Sequence, residues 1–362
     1  MPTAATPTAL QRLLSPLVAP HVFDFWASRL HPTWSWQRPL ARVVERRVEA
    51  RDAVTLVLQP NRHFAGFVPG QHVHVSADID GVRVTRSYSL TGLPRPDGRV
   101  SITVRRIDQG RMSTHLCRRI GVGDVVELGP AFGDMTLAVR PEGRWLFLAA
   151  GSGITPLMGL TRQLAQDGFP AELTLIYWAK TRAELCFAQE LRELAARAPR
   201  FRLHLVLTRE TDLLVNERSG RLDAVLLQDL VPDLASRRVY ACGPAGFVAT
   251  ARQLTQGIAQ SFSAEAFTPP MPTDEATGTV RVELRASGRT LEIPAGQALL
   301  PALEAQGVTP AYGCRMGICN TCACGKLSGT TQDLHSGDSS AEASSALRLC
   351  ISRACTDLIL DL

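Results

Sequence analysis

Lysine is almost missing from this chain: of its 39 basic residues only Lys180 and Lys326 are lysine, and the rest are arginine. With abundant alanine and proline, that skew reads as the codon bias of a GC-rich genome. The basic residues are scattered, with no stripe interleaved with aromatics, so nucleic acid is not an expected partner. Long hydrophobic runs are missing too. No stretch nears the roughly 18 uninterrupted apolar residues of a membrane span, so no transmembrane segment is expected. The first residues, Met1 to Leu14, lack a basic segment leading into an apolar core, so no secretory leader is expected either. A content of 45% hydrophobic and 20% charged residues excludes wholesale disorder. The expectation is a soluble, cytoplasmic protein. At 362 residues it should hold two or three domains, since single cores rarely outgrow about 250–300 residues.

Cysteine is what the chain has in plenty. Nine is an odd number, and five of them (Cys314, Cys319, Cys322, Cys324, Cys350) fall within 37 residues. A secreted disulfide scaffold would be shorter and even-numbered. Clustered thiols in such a chain point to metal. The net charge of +5 is uneven: from residue 279 onward 7 basic residues face 8 acidic ones, so the positive charge lies upstream.

Residues 1–37 are punctuated by Pro2, Pro7, Pro16, Pro20 and Pro32 and hold three of the five tryptophans, Trp26, Trp34 and Trp36. A short helix from His21 to Leu30 would put Phe23 and Trp26 on one face and Phe25 on another. This segment is read as an extension packing its aromatics on the next domain; a docking arm for a partner or a membrane surface is the sharper alternative. From 38 to 140, Val- and Thr-rich runs (Ala41–Glu49, Ala53–Gln59, His72–Ala77, Arg83–Leu90, Val100–Arg106) are split by turns such as Pro69-Gly70. One helical patch, Met112–Ile120, interrupts them, and the pattern predicts a closed antiparallel barrel. From 141 to 262 strands alternate with helices, beginning with the buried run Trp145–Ala150, which predicts a parallel α/β sheet. Residues 263–278 read as a Pro-rich linker. In 279–362 a hairpin (Thr279–Arg285, Thr290–Ile293) and a helix (Leu299–Gln306) precede the cysteine loop.

That loop carries the strongest signal. Cys314-x4-Cys319-x2-Cys322, with Cys350 further on, has the plant-type spacing of a [2Fe–2S] cluster. Zinc is the rival, but structural zinc sites draw on short-spaced pairs or Cys/His knuckles. Cys324 and Cys355 break the spacing and are read as small packing residues. Such a cluster takes electrons singly, so the upstream domains must supply them singly. In Arg86-Ser-Tyr-Ser-Leu, an Arg can neutralise phosphate, Tyr88 can stack on an aromatic ring, and the Ser89 hydroxyl can bond a ring nitrogen, which is what a flavin nucleotide requires. Gln109-Gly-Arg-Met-Ser-Thr opens the barrel's helix and suits a pyrophosphate. Ala150-Gly-Ser-Gly-Ile-Thr-Pro follows a buried strand and lets backbone approach a second diphosphate, with Pro where the dinucleotide fingerprint has its third Gly. Tyr240-Ala-Cys-Gly-Pro puts Cys242 and Gly243 at a strand's carboxyl end, where open parallel sheets bind ligands. His72 and His74 share a strand face and are read as barrel histidines, a metal pair being the alternative.

Taken in order over residues 38–262, the Arg-x-Tyr-Ser, Gly-x-Gly-x-x-Pro and Cys-Gly-Pro signatures resemble the ferredoxin–NADP reductase family. Tyr312-Gly-Cys-Arg-Met-Gly-Ile-Cys-Asn-Thr-Cys, with Leu349-Cys-Ile-Ser, resembles a plant-type ferredoxin domain. The resemblance implies a multidomain α+β fold: a flavin-binding β-barrel, a parallel-sheet nucleotide domain and a β-grasp ferredoxin domain. It also implies an NAD(P)H-dependent reductase feeding a separate acceptor. Arg86, Tyr88 and Ser89 would hold the flavin, with Ser89 near its N5, and Gly110, Met112, Ser113 and Thr114 would line its diphosphate. Gly151, Gly153 and Thr155 would face the dinucleotide, and Cys242, beside Gly243, the nicotinamide. Cys314, Cys319, Cys322 and Cys350 would ligate the cluster. FAD is preferred to FMN because of the apparent diphosphate loop at Gly110–Thr114. NADPH is preferred to NADH because Lys180 and Arg182 follow a sheet strand and Thr208-Arg209-Glu210 resembles the Ser-Arg-Glu of NADPH-selective relatives. Phe25-Trp26, Pro32-Thr-Trp-Ser and Gly66-Phe-Val-Pro-Gly-Gln-His-Val resemble bacterial reductases that serve membrane-bound fatty acyl desaturases. The reductase of a ring-hydroxylating oxygenase, diiron hydroxylase or P450 is the rival. A redox sensor or electron-relay binding protein with little turnover is the reading from another class.

Overall fold

The computed structural model describes residues 19–268 and 278–362, so most of the expected linker lies outside the described residues. Two compact units make up the chain, one running to Arg221 with Ala235–Tyr240, the other Leu222–Leu234 with Ala241–Leu362.

In the first unit, helix α1 (Pro20–Leu30) precedes strands β1 (Leu40–Ala50), β2 (Ala53–Pro60), β3 (His72–Ile79), β4 (Val82–Ser89) and β5 (Val100–Arg105), then α2 (Arg111–Arg118) and β6 (Val125–Phe132). The antiparallel sheet has the order β4-β3-β6-β1-β2-β5, and an antiparallel bridge from Leu90 to Ile102 brings its two edges together, as expected of a barrel. Leu56, Leu58, Val73, Val75, Ile102 and Val104 fill it, and α2 adds Met112 and Leu116. Sequence reasoning missed β6 because Gly129-Pro130 reads as a turn. A Cβ there would lie 3.1 Å from the Cβ of His74, so the strand passes close to that side chain. His72 stacks on Phe132 and His74 lies tilted against it, with centroids 5.8 and 4.6 Å away, as barrel histidines. Burial drives His72 down to about 4, so it stays neutral.

The aromatic extension is only partly as expected. Phe23 turns inward, edge-on to Trp36 at 5.2 Å, whereas Trp26 stands outside with Phe25. The expected grouping of Phe23 with Trp26 does not hold: three residues are about 300° of helical turn, so Phe23 meets the barrel while Trp26 sides with Phe25.

The parallel sheet has the order β10-β9-β8-β7-β11-β12, with β7 (Arg144–Ala150), β8 (Glu172–Ala179), β9 (Phe201–Leu207), β10 (Glu217–Ser219), β11 (Arg237–Gly243) and β12 (Ser261–Ala266). Helices α3 (Ile154–Gln166), α4 (Ala188–Arg197), α5 (Ala224–Leu230) and α6 (Ala245–Thr255) intervene. Strand β12 runs past residue 262, the expected domain boundary; its short polar sequence Ser-Phe-Ser-Ala-Glu-Ala hides it. Helix α4 starts only at Ala188. Phe187 before it adopts a left-handed φ of 58°, and its N–H donates to Glu49 of the barrel at 3.1 Å. Helix α3 also meets the barrel closely: a Cβ on Gly159 would lie 3.0 Å from the Leu90 carbonyl oxygen.

Glu217 on β10 illustrates how the sheet edge is held. Its fully buried carboxylate accepts from Arg182 at 2.6 Å, from Arg192 at 2.9 Å and from the Leu214 N–H at 3.1 Å. The Arg182 bond holds the carboxyl below its ordinary value near 4.5. A depressed folded-state value gives stability that is complete above the unfolded value and fades as pH falls through the folded one. Glu217→Gln should therefore lower the melting temperature at neutral pH, with the gap to the parent narrowing below about pH 4.5. Thermal melts across that range check this; a constant gap would contradict it.

The last domain pairs β13 (Thr279–Leu284) with β14 (Arg289–Pro294) in the expected hairpin, followed by α7 (Leu299–Ala305) and β15 (Ala323–Ser328). Then come β16 (Thr331–Asp333), β17 (Ser339–Ser340), β18 (Ser344–Arg348), β19 (Ser352–Ala354) and β20 (Leu358–Asp361). Its five-stranded sheet has the order β14-β13-β20-β15-β18, with β20 parallel to β13 and antiparallel to β15. Leu299, Leu303, Ile351 and Leu360 form its core together with Cys322, Cys324 and Cys350. Cys324 packs as expected, but Cys355 is exposed.

Candidate functional site

Three sets of residues are candidates for the chemistry. The first lies at the end of β4. Arg86 is exposed, and among the described residues no carboxylate pairs with it; its guanidinium bonds only its neighbour's carbonyl, Thr85 O, at 2.7 Å. That leaves it open to a phosphate. Tyr88 packs half-buried on the barrel core, and burial raises its phenol, which stays protonated. Ser89 is 4% exposed, and its hydroxyl lies 3.0 Å from that of Thr155, at the start of α3. Thr155 also donates to the Ser152 carbonyl at 2.9 Å, so a barrel residue and a nucleotide-loop residue share one hydrogen-bonded pair.

At the start of α2, Gly110 is the N-cap and a cavity of about 230 Å³ is lined by Gly110, Arg111, Thr114 and His115. A Cβ on Gly110 would lie 2.4 Å from Ser113 Oγ. Met112 and Ser113 are buried, and Ser113 Oγ accepts from the Ile107 N–H at 3.2 Å, so these two shape the turn from within. A flavin diphosphate is thus offered backbone N–H groups and Thr114 rather than their side chains.

The second set is on the parallel sheet. Gly151, with φ of 56°, and Gly153 form one 3-10 turn between β7 and α3. At the ends of β8 and β9, the Thr208 N–H donates to Ala179 O at 3.0 Å and the Arg209 N–H to Lys180 O at 2.8 Å. Lys180, Thr208 and Arg209 are thereby gathered and exposed. Arg182 is not free to join them, because Glu217 and the Asp212 carbonyl hold its guanidinium. On β11, Cys242 is fully buried, and burial pushes its thiol well up, with the Glu265 charge adding to this. It stays a neutral thiol, suited to packing against a ring and not to proton transfer. Glu265, 8% exposed at the end of β12, was missed by sequence reasoning. No motif marks it; only the fold brings it to Cys242.

The third set is the cysteine loop. The Cys314 N–H donates to Cys319 Sγ at 3.2 Å, and the Cys319 N–H returns to Cys314 Sγ at 3.4 Å. The Cys350 thiol bonds Cys322, drawing Cys322 down to about 7 and holding Cys350 up. The Gly317 N–H donates to Cys350 Sγ at 3.2 Å. A side chain there would strike Ile351, since a Cβ would come within 2.5 Å of its Cδ1. The four sulfurs thus form two pairs. Two pairs suit a two-iron cluster, with one pair for each iron. Cys322 and Cys350 are each 4% exposed while Cys314 and Cys319 are half-buried, so the latter pair lies on the solvent side.

Comparison with known proteins agrees with this three-part layout. Family models match in order: an oxidoreductase FAD-binding domain over residues 41–136, an oxidoreductase NAD-binding domain over 147–253, and a 2Fe-2S iron-sulfur cluster binding domain over 282–356. A protein of Mycobacterium tuberculosis named NADPH oxidoreductase is 32% identical, covering 98% of this chain and 92% of that one. The ferredoxin reductase component of 3-ketosteroid-9-alpha-monooxygenase, from the same species, is 31% identical over 79% of this chain and 83% of its own. Among solved structures, phthalate dioxygenase reductase superposes with a TM-score of 0.56 at 25% identity, covering 89% of this chain and 97% of that one.

Proposed function

The chain belongs to the NAD(P)H oxidoreductases of the ferredoxin-reductase type that join FAD-binding, NAD-binding and 2Fe-2S domains, and from that premise we propose that it draws a hydride from NADPH and delivers single electrons to a separate oxygenase-type acceptor. FAD and the [2Fe–2S] cluster, when bound, supply the two-electron acceptor and the one-electron carrier. The chain's own residues orient and exclude water. Ser89 and Thr155 hold one hydroxyl pair where barrel and nucleotide loop meet, and the neutral Cys242 thiol contributes packing. The observation that carries the reading is the pairing of the four thiols, with the Cys314–Cys319 pair toward solvent, where a protein acceptor can reach.

NADPH is the preferred donor because Lys180 and Arg209 stand together, exposed, at adjacent strand ends. Arg182 is assigned to the fold and not to the nucleotide. Arg209→Ala and Lys180→Ala should each raise KM for NADPH about tenfold, leaving NADH little changed. Arg182→Ala should lower thermal stability instead. Steady-state kinetics with both nucleotides, alongside melts, separates the two roles; equal losses on NADH would contradict the assignment.

A membrane-bound fatty acyl desaturase is the proposed acceptor, supported by the aromatic arm and by the motifs shared with reductases of such enzymes. The names of the monooxygenase component and the dioxygenase reductase favour a second reading, the reductase component of a monooxygenase or ring-hydroxylating dioxygenase. Reconstituting NADPH-driven turnover with a desaturase-bearing membrane fraction and with candidate oxygenase components decides between them. Turnover only with oxygenase components would overturn the desaturase assignment.

A further inference from the structure

Helix α1 is firmly placed yet spends its apolar side chains on solvent. Inward it offers little: Ala27 is buried, Phe23 meets Trp36, and the Asp24 carboxylate accepts the Trp36 N–H. The turn that follows is tied to the barrel by Asn61, whose side-chain amide donates to the Thr33 and Arg38 carbonyls at 2.9 Å each. Outward stand Val22, Phe25, Trp26 and Leu30, exposed to 45%, 53%, 61% and 79%, with Trp34 at 54% beyond the helix end. Positions 22, 25, 26 and 30 share one helical face. Of the four strongly exposed Phe, Trp and Tyr side chains among the described residues, three lie in this arm. A scatter of surface hydrophobics would not concentrate so.

Charge narrows the choice of partner. In residues 1–34 the only acidic side chain is Asp24, and it is turned to Trp36. Arg29 lies over the rings of Phe25 at 4.5 Å and Trp26 at 5.4 Å, so a cation edges the apolar face. Polar groups around the face are satisfied within the arm: Ser28 Oγ donates to Phe25 O at 3.0 Å, and Thr33 Oγ1 pairs with His31 Nδ1 at 3.1 Å. A protein interface would want about one hydrogen bond per 100–200 Å². A lipid surface wants indole rings at headgroup depth, aliphatic side chains beneath and cations at the phosphates.

We propose that this face of α1 is an anchor for an anionic phospholipid surface, with Phe25, Trp26, Leu30 and Trp34 entering the headgroup layer and Arg29 meeting its phosphates. The anchor stands whichever acceptor the protein serves.

The holoprotein, full chain, is sedimented with vesicles of phosphatidylcholine alone and of phosphatidylcholine with about one third phosphatidylglycerol. Partition into the anionic vesicles with a blue shift of tryptophan emission is expected. The Trp26→Ser/Leu30→Ser double variant should lose about tenfold or more in partition, and Arg29→Gln should lose the preference for anionic vesicles. These side chains are exposed, so NADPH-driven dye reduction should be unchanged, and that readout separates failure of the anchor from failure of the oxidoreductase. No partition into anionic vesicles, or partition that the double variant leaves intact, would overturn the proposal. So would a concentration-dependent dimer that the double variant abolishes, since a second copy would then cover the face.

Discussion

Cytochrome c reduction driven by NADPH should fall at least about 100-fold in Cys322→Ser, while ferricyanide, which can take electrons at the flavin, keeps most of its rate. The split follows from the loop's geometry. Cys322 is paired with Cys350 in the buried half of the proposed donor set, so a hydroxyl there would leave one iron of the cluster with a single thiolate. Visible absorbance should lose its brown component and keep the yellow one. Cys324→Ala serves as the control: that thiol is also buried in the core of the same domain but stands outside both pairs, and its loss should leave cluster content intact. Loss of both activities in Cys322→Ser with FAD still bound would mean that ferricyanide too is reduced only through the cluster.

The second large effect concerns hydride transfer. Ser89→Ala and Thr155→Val each break the hydroxyl pair 3.0 Å apart, and each should slow flavin reduction by about 10–100-fold with FAD content unchanged. The double variant should cost little more than either single one, because the two hydroxyls act as a unit. Stopped-flow mixing with NADPH measures the step directly. Additive losses would show that each hydroxyl acts by itself, and unchanged rates would remove both from the site.

Much of this was legible in the sequence, for identifiable reasons. The barrel strands betray themselves by Val- and Thr-rich runs between Gly and Pro turns. The proposed ligand set stands out because three thiols of one loop, with Cys350 further on, keep the spacing that two irons require. What was hidden is non-local. Glu217 lies 35 residues from Arg182, so nothing in the sequence said that this arginine was already engaged. Glu265 reaches Cys242 only through the neighbouring strands β11 and β12. The glycine in β6 reads as a turn until His74 is seen against it. In the arm, periodicity gave a helix, but which face met the barrel depended on Trp36 and Asn61.

Anaerobic titration of the purified holoprotein with NADPH, followed by absorbance and electron paramagnetic resonance, probes the conversion of paired to single electrons at its root. Full reduction should consume about one and a half equivalents, two electrons resting on FAD and one on the cluster, with the paramagnetic signal of a reduced [2Fe–2S] centre at the end. An end point near one equivalent with no such signal would contradict the account.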